Sequence, residues 1–303
     1  MALLAIRSYP SADNLCLDPQ ATRMLNRLTL LVLAWFLACC ALPAQAGSSD
    51  PSQSDPSQSD PHAAIQLLPG QAHPEGLAGL AIQLAPGWKT YWRNPGDAGI
   101  PPTFDWSRSE NLREVTVLWP APSRYDQEGA SSAVYHDEVV LPLRISAIDP
   151  SKPVRLALGL DYAACKTICV PAKGSADVIL SPGTQKGEGS AEIEQAMKKV
   201  PVSREIGATE TLAIKQVRLD TATNPARLTI DVSAPSASAL FVEGPMKWYL
   251  PMPEPADKAD KANPQRFVLP LEGLPKGATL AGNELRFTLS TGEAGVESLY
   301  RLP

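Results

Sequence analysis

The sequence lacks an excess of basic residues, a second long apolar run and every common hydrolase motif. Its formal net charge is −5 at pH 7, so it offers no basic footprint for nucleic acid or anionic lipid. Beyond residue 46, no stretch approaches the roughly 20 apolar residues that span a bilayer, which predicts no transmembrane anchor. We find no Ser-His-Asp context, P-loop or paired-carboxylate motif.

The amino-terminal segment has the form of a secretory signal peptide. Arg27 supplies a short positive region, residues 28–42 are apolar, and Ala44-Gln45-Ala46 has the small-x-small form that signal peptidase cleaves. We therefore predict that residues 1–46 are a signal peptide, with Met24 as a candidate true start. The mature protein is expected to be soluble outside the cytoplasm.

Cysteine is also scarce, which limits the covalent chemistry of the mature protein. Cys16, Cys39 and Cys40 precede the predicted cleavage site, so only Cys165 and Cys169 follow it. Two thiols four positions apart in an exported protein are typical of one small disulfide. Lipidation of Cys39 or Cys40 is an alternative fate of the amino terminus, but the residues before Cys39 make a poor lipobox.

Short apolar runs separated by proline and glycine dominate the rest of the chain. This spacing predicts an all-β protein built from antiparallel sandwiches or barrels. A polar, proline-containing repeat before them predicts a flexible tether. The expected organisation is a disordered linker (47–62), a first β-domain (63–182), a linker with a short helix (183–205) and a second β-domain (206–303).

The spacing of the two cysteines constrains the backbone between them. A continuous strand would separate their Cα atoms by about 13 Å, whereas a disulfide needs them within roughly 7 Å. Because Lys166, Thr167 and Ile168 include neither Gly nor Asn, we predict a helical turn or a strained bend rather than a standard three-residue hairpin loop. Strain makes a disulfide easier to reduce.

The size of the loop bears on whether the disulfide is a staple or a redox switch. The chain-entropy model gives about 2 kcal/mol for so short a loop, against ~4.7 kcal/mol for a 100-residue loop. Lys166, next to Cys165, is a candidate for lowering the thiolate pKa and makes Cys165 the expected attacking thiol. From these residues alone, a redox pair and a structural disulfide remain equally supported.

Two further groups of residues admit a functional and a structural interpretation. Trp88, Tyr91, Trp92 and Trp106 would form a docking face or, as is more common for such aromatics, pack in and around a core. His136-Asp137-Glu138 would join the two thiolates around copper or zinc. Because there is no second ligand pair and no Met-rich run, we predict neither a metal nor a cofactor.

Four stretches of the chain carry a family resemblance: Gly87–Pro102, Trp119–Pro122, Tyr135 with Val140–Pro142, and Asp161–Pro171. They resemble the periplasmic amino-terminal region of the thiol:disulfide interchange protein DsbD, and most of all its relative ScsB, the suppressor of copper sensitivity protein. The resemblance covers about residues 63–182, and the later half fits the second β-domain of ScsB-like regions by position and pattern.

The resemblance implies two immunoglobulin-like sandwiches and a cysteine pair that cycles between dithiol and disulfide. It identifies Cys165 and Cys169 as the redox pair, with Tyr162 as an aromatic neighbour and Pro171 as the proline after the second cysteine. Asp126 corresponds to an acidic residue of the loop that caps the pair in DsbD. The implied partners are periplasmic thioredoxin-like proteins.

The sequence also departs from the DsbD pattern in three ways. The Cys-x3-Cys spacing is narrower, and Glu128 replaces the phenylalanine of the capping loop, for which Tyr125 is a candidate substitute. The electron-carrying membrane domain and the thioredoxin-like domain are not in this sequence, so reducing power is expected from a membrane protein in trans. The alternative function is a non-enzymatic periplasmic binding module, for copper or a protein, with a permanent disulfide.

Overall fold

A computed structural model describes residues 61–71, 76–127, 129–183, 186–234, 238–256 and 265–303 of this protein. The predicted signal peptide, nearly all of the predicted tether, and Glu128 of the predicted capping loop lie outside these ranges. No helix in the described ranges is long and apolar enough to cross a membrane.

The first half of the described chain forms ten strands, each antiparallel to its neighbours. They are β1 (Ala63–Pro69), β2 (Gly76–Leu84), β3 (Lys89–Gly96), β4 (Thr103–Asp105), β5 (Leu112–Val117), β6 (Ser123–Gln127), β7 (Ala130–His136), β8 (Glu138–Ala147), β9 (Val154–Cys165) and β10 (Cys169–Leu180). One sheet has the order β1-β2-β8-β5, and the other has the order β10-β9-β3-β7-β6 with β4 paired to β9. The two sheets enclose one hydrophobic core.

Alternation along β9 decides which side chains enter that core. Leu156, Leu158, Leu160 and Tyr162 are all buried in it, because every second side chain of a strand points to the same face of the sheet. The intervening side chains near the end of β9, including Cys165, lie on the opposite, outer face. The outer face is therefore where the cysteine pair is found.

The described residues of the second half add one helix and eight strands. The helix α1 (Ser190–Lys199) buries Ile193 and Ala196 and packs against β2 and β8. The strands are β11 (Val202–Ser203), β12 (Ala213–Asp220), β13 (Arg227–Ser233), β14 (Ala239–Glu243), β15 (Glu254–Pro255), β16 (Arg266–Pro270), β17 (Glu284–Ser290) and β18 (Gly295–Arg301). Their sheets, β11-β18-β17-β14 and β12-β13-β16-β15, enclose a second core. The prediction of an all-β protein with two sandwiches is confirmed.

The two sandwiches pack directly against each other within one compact unit. Phe241 of β14 joins the first core, with its ring centroid 5.6 Å from that of Trp92. Beside this contact, Arg93 of β3 forms ion pairs with Glu243 at 2.7 Å and Glu297 at 2.5 Å. Strand β3 therefore reaches the second sandwich at one end. Its other end, at Lys89, lies beside Cys165.

Candidate redox site

The two cysteines close a tight hairpin between β9 and β10. Cys165 ends β9 and Cys169 begins β10, and the two residues face each other in register. They form a disulfide with a Cα–Cα distance of 4.1 Å. The chain bends between them as predicted, and residues 166–168 form the hairpin loop. None of the loop residues 166–168 has a positive φ, so bends in the ordinary backbone region close the hairpin.

The two cysteine residues differ sharply in accessibility. Cys165 is 1% exposed and packs with Tyr91, Val134 and Ala163 in a small cluster on the outer face of the sheet. Cys169 is exposed, because it begins the edge strand of that sheet. Ile168, just before it, is 69% exposed. A macromolecular partner therefore meets the Cys169 sulfur and the tip of the hairpin first.

The Tyr91 hydroxyl contacts both sulfur atoms. It lies 3.1 Å from Sγ of Cys169 and 3.3 Å from Sγ of Cys165. Because disulfide sulfurs carry no hydrogen, the hydroxyl is the donor. Burial, followed by the proximity of Tyr125, raises the pKa of Tyr91, so its hydroxyl keeps its proton at neutral pH. Sequence reasoning grouped Tyr91 with the other aromatics and missed this role, since its register against the cysteines is not readable from local pattern.

A glycine allows the backbone to cover Tyr91. Gly99 has a φ of +140°, and a Cβ added there would lie 2.5 Å from Cε1 of Tyr91. The covering loop is fastened by Ser132, whose hydroxyl donates to the Ala98 carbonyl at 2.7 Å, and by Asp97, which accepts from the backbone amides of Ser131 and Met252. The tyrosine that touches the sulfurs is thus held in place from both sandwiches.

Lys89 and Tyr125 complete the surroundings of the pair. Lys89 is directly opposite Cys165 in the β3–β9 register, and its side chain is buried. Its ammonium lies 4.0 Å from the centroid of the Tyr125 ring and donates to the Lys166 carbonyl at 3.2 Å. Tyr125 packs against the cluster that contains Cys165. Sequence reasoning missed Lys89 entirely.

The four supporting residues expected from the sequence occupy different places. Tyr162 is buried in the main core, on the opposite sheet face from Cys165. Lys166 is exposed, and its ammonium donates to the Pro86 carbonyl at 3.3 Å. Pro171 is exposed on the edge strand β10, where a missing N–H is tolerated.

Asp126, the fourth supporting residue, lies on the other side of β6 from Tyr125. Successive side chains of a strand point to opposite faces, and the Asp126 carboxylate accepts hydrogen bonds from Arg124 and Ser131. Arg124 also pairs with Glu254 of the second sandwich. Asp126 and Arg124 line a cleft of about 290 Å³ between the two sandwiches. The structure brings Tyr125, rather than Asp126, into the cluster around Cys165.

The alternatives drawn from the aromatic residues and from His136 can also be located. Trp92 is fully buried in the core, and Trp88 stacks on His62 with ring centroids 3.8 Å apart. The His136 ring lies 5.9 Å from that of Tyr125. Within the described ranges, no group of three or more His, Cys, Asp or Glu side chains is arranged to hold a metal ion.

Comparisons with known proteins add a family and a fold. Residues 55–180 match the family model described as thiol:disulfide interchange protein DsbD, N-terminal. The structure is similar to the crystal structure of the N-terminal periplasmic domain of ScsB from Proteus mirabilis, with a TM-score of 0.58. Sequence identity is 21%, and the match covers 80% of this chain and 94% of that chain. At this identity the likeness shows a shared fold. No curated protein matches the sequence significantly.

Proposed function

Because residues 55–180 match the family model of the DsbD amino-terminal region, we propose that this chain is a periplasmic thiol–disulfide exchange protein. Its Cys165–Cys169 pair receives two electrons from a membrane reductase on another polypeptide and passes them to thioredoxin-like proteins. The observation that supports this proposal most is the arrangement of the disulfide, in which one cysteine residue is exposed, the other is buried, and one tyrosine hydroxyl contacts both sulfurs.

The exchange begins with reduction of the pair. A thiolate of the reductase attacks the exposed Cys169 sulfur, the Cys165–Cys169 bond breaks, and Cys165 leaves as a thiolate. A second thiolate of the reductase then attacks the mixed disulfide and releases Cys169. The reductase ends as a disulfide and the pair as a dithiol, so two electrons have moved and the protons have exchanged with solvent.

Delivery to a thioredoxin-like partner reverses these roles. The Cys169 thiolate attacks the partner's disulfide, and one partner thiolate leaves. Cys165 then attacks the Cys169 sulfur of the mixed disulfide, which restores the Cys165–Cys169 bond and releases the partner's second thiolate. The sequence favoured Cys165 as the attacking thiol because of Lys166. The burial of Cys165 and the exposure of Cys169 favour the opposite assignment.

Tyr91 fits both halves of this cycle. Its hydroxyl is within hydrogen-bond reach of each sulfur, so it can donate to whichever sulfur becomes a thiolate. A hydrogen bond to a charged acceptor is stronger than one to a neutral acceptor. The reduced pair and its leaving thiolates are therefore stabilised more than the disulfide.

The reduction potential of the pair tests this function. The full protein, with Cys16, Cys39 and Cys40 replaced by serine so that only the pair titrates, is equilibrated in thiol–disulfide buffers. We expect a potential above the roughly −300 mV below which structural disulfides resist reduction. We also expect the fold to survive reduction, because the short loop contributes only about 2 kcal/mol against a typical stability of 5 to 15 kcal/mol.

The opposite outcome would favour the alternative function. A potential well below −300 mV, together with loss of the β-sheet circular dichroism signal on reduction, would identify the disulfide as a permanent staple. The chain would then act as a non-enzymatic periplasmic binding module, and a search for its copper or protein ligand would follow.

A further inference from the structure

Lys89 occupies a central position in a row of side chains on the outer face of the sheet. It is directly opposite Cys165 on β9 and directly opposite His136 on β7. Residues that pair directly across antiparallel strands have Cβ atoms about 5 Å apart and share a face. Lys89 is 6% exposed, and its ammonium is held by the Lys166 carbonyl and the Tyr125 ring. Its Cβ therefore lies near that of Cys165, on the same face of the sheet.

The Lys89 ammonium is a partly buried cation without a carboxylate. No ion pair found in the described ranges involves it. A carbonyl and an aromatic face compensate only part of the loss of hydration of a buried ammonium, and burial accordingly lowers the pKa of Lys89. A negative charge that appeared beside this group would be stabilised by it.

The other titratable side chains around Lys89 do not supply that charge. They are Tyr91 on the same strand, Tyr125 on β6, His136 on β7 and Lys166 in the hairpin loop, none of which is a carboxylate. The nearby carboxylate of Asp137 accepts a hydrogen bond from the backbone amide of Gly87 at 3.5 Å.

From this arrangement, we propose that Lys89 is a positioning residue of the redox pair, which stabilises the Cys165 thiolate whenever the disulfide is open. The inference rests on the exchange function proposed above and assigns its electrostatics to a residue outside the cysteine hairpin. With Cys169 in a mixed disulfide, Cys165 must be a thiolate in order to attack. A nearby opposite charge lowers an acid's pKa by about one unit or more, which raises the thiolate fraction about tenfold.

Lys166 provides the matched control, because it is the lysine next to Cys165 in the chain. Its ammonium is exposed and donates to the Pro86 carbonyl, so it lies over the β2–β3 turn. If adjacency in sequence decided the pKa of Cys165, replacing Lys166 would change that pKa more than replacing Lys89. If strand register decides it, replacing Lys89 has the larger effect.

The experiment titrates Cys165 in the full protein without any partner. Cys16, Cys39, Cys40 and Cys169 are replaced by serine, and thiolate absorbance at 240 nm is followed against pH. We expect Lys89→Met to raise the Cys165 pKa by about one unit, Lys89→Arg to restore most of the shift, and Lys166→Met to have a much smaller effect. His136→Gln controls for the other member of the row.

An unchanged Cys165 pKa in a folded Lys89→Met protein would overturn the proposal, as would a shift of equal or greater size in Lys166→Met. Should Lys89→Met fail to fold, the coupling can be measured through the pKa of Lys89 instead, because the coupling between two groups is reciprocal. In protein with lysine Cε labelled by ¹³C, opening the disulfide should raise the Lys89 pKa, and no rise would refute the coupling. Since no partner takes part, failure of the exchange function would appear separately, as a very low potential of the intact pair.

Discussion

Replacing Tyr91 with phenylalanine should make the cysteine pair harder to reduce. The substitution removes only the hydroxyl, which lies 3.1 Å and 3.3 Å from the two sulfurs, and keeps the ring on which Gly99 rests. In the disulfide state the lost bond is a weak one to neutral sulfur. In the reduced state it is a bond to a thiolate, which is worth about 1.5–3 kcal/mol.

The difference between the two states sets the expected shift. If the hydroxyl stabilises the reduced state by about 1.4 kcal/mol more than the oxidised state, the potential of the two-electron couple falls by about 30 mV in Tyr91→Phe. The sign follows because loss of stabilisation from the reduced form favours the disulfide. The shift should be largest at alkaline pH, where a thiolate is populated, and should shrink as the thiols become protonated.

The assay compares potentials in thiol–disulfide buffers from pH 6 to 9, with the reduced fraction read by alkylation and mass. Tyr135→Phe serves as the control, since its hydroxyl donates to the buried Pro120 carbonyl at 2.7 Å and its loss should lower stability without moving the potential. A Tyr91→Phe potential equal to or above that of the unmodified protein at pH 9 would refute the role given to the hydroxyl. An equal shift in Tyr135→Phe would do the same.

Three further predictions concern the ion pairs between the sandwiches, the loop that covers Tyr91, and the amino terminus. Arg93→Met removes both ion pairs between the sandwiches and should lower the free energy of unfolding, measured by urea titration, by roughly 2 kcal/mol, a value between those of surface and buried ion pairs because the side chains are 20–23% exposed. An unchanged free energy of unfolding would mean that the apolar contacts alone join the sandwiches. Gly99→Ala places a Cβ 2.5 Å from the Tyr91 ring and should lower the potential in the same direction as Tyr91→Phe, whereas an unaltered potential would show that Tyr91 does not depend on its cover. Intact mass of the exported protein should correspond to a chain that begins at Gly47, and a diacylglyceryl adduct would contradict cleavage after Ala46.

The sequence was most informative where local pattern and local structure coincide. Runs of alternating apolar residues between Pro and Gly predicted strands, and the run from Val154 to Tyr162 lies in the strand Val154–Cys165, because burial of one face imposes a period of two. The short helix expected within residues 183–205 is present as Ser190–Lys199. The family resemblance, carried by motifs on either side of the cysteines, is confirmed by the family match to residues 55–180.

Long-range register could not be predicted in the same way. Lys89 lies 76 positions before Cys165 in the numbering, and only the pairing of β3 with β9 makes them neighbours. Lys166 adjoins Cys165 in the chain but turns to the Pro86 carbonyl. Likewise, the resemblance implied Tyr162 as an aromatic neighbour of the pair, although alternation directs it into the core. Sequence separation is therefore a poor guide to which groups affect the pKa and reduction potential of a cysteine at the end of a strand.

Trapping of a mixed disulfide in the periplasm tests the central claim most directly. The Cys165→Ser protein should accumulate as a covalent, reductant-sensitive complex with a thioredoxin-like protein, joined through the exposed Cys169, because the resolving thiol is gone. Cys169→Ser should trap far less, since Cys165 is 1% exposed, and the double variant should trap nothing. Efficient trapping by Cys169→Ser alone would reverse the assignment of the two sulfurs. Absence of any complex from both single variants would contradict the exchange function itself.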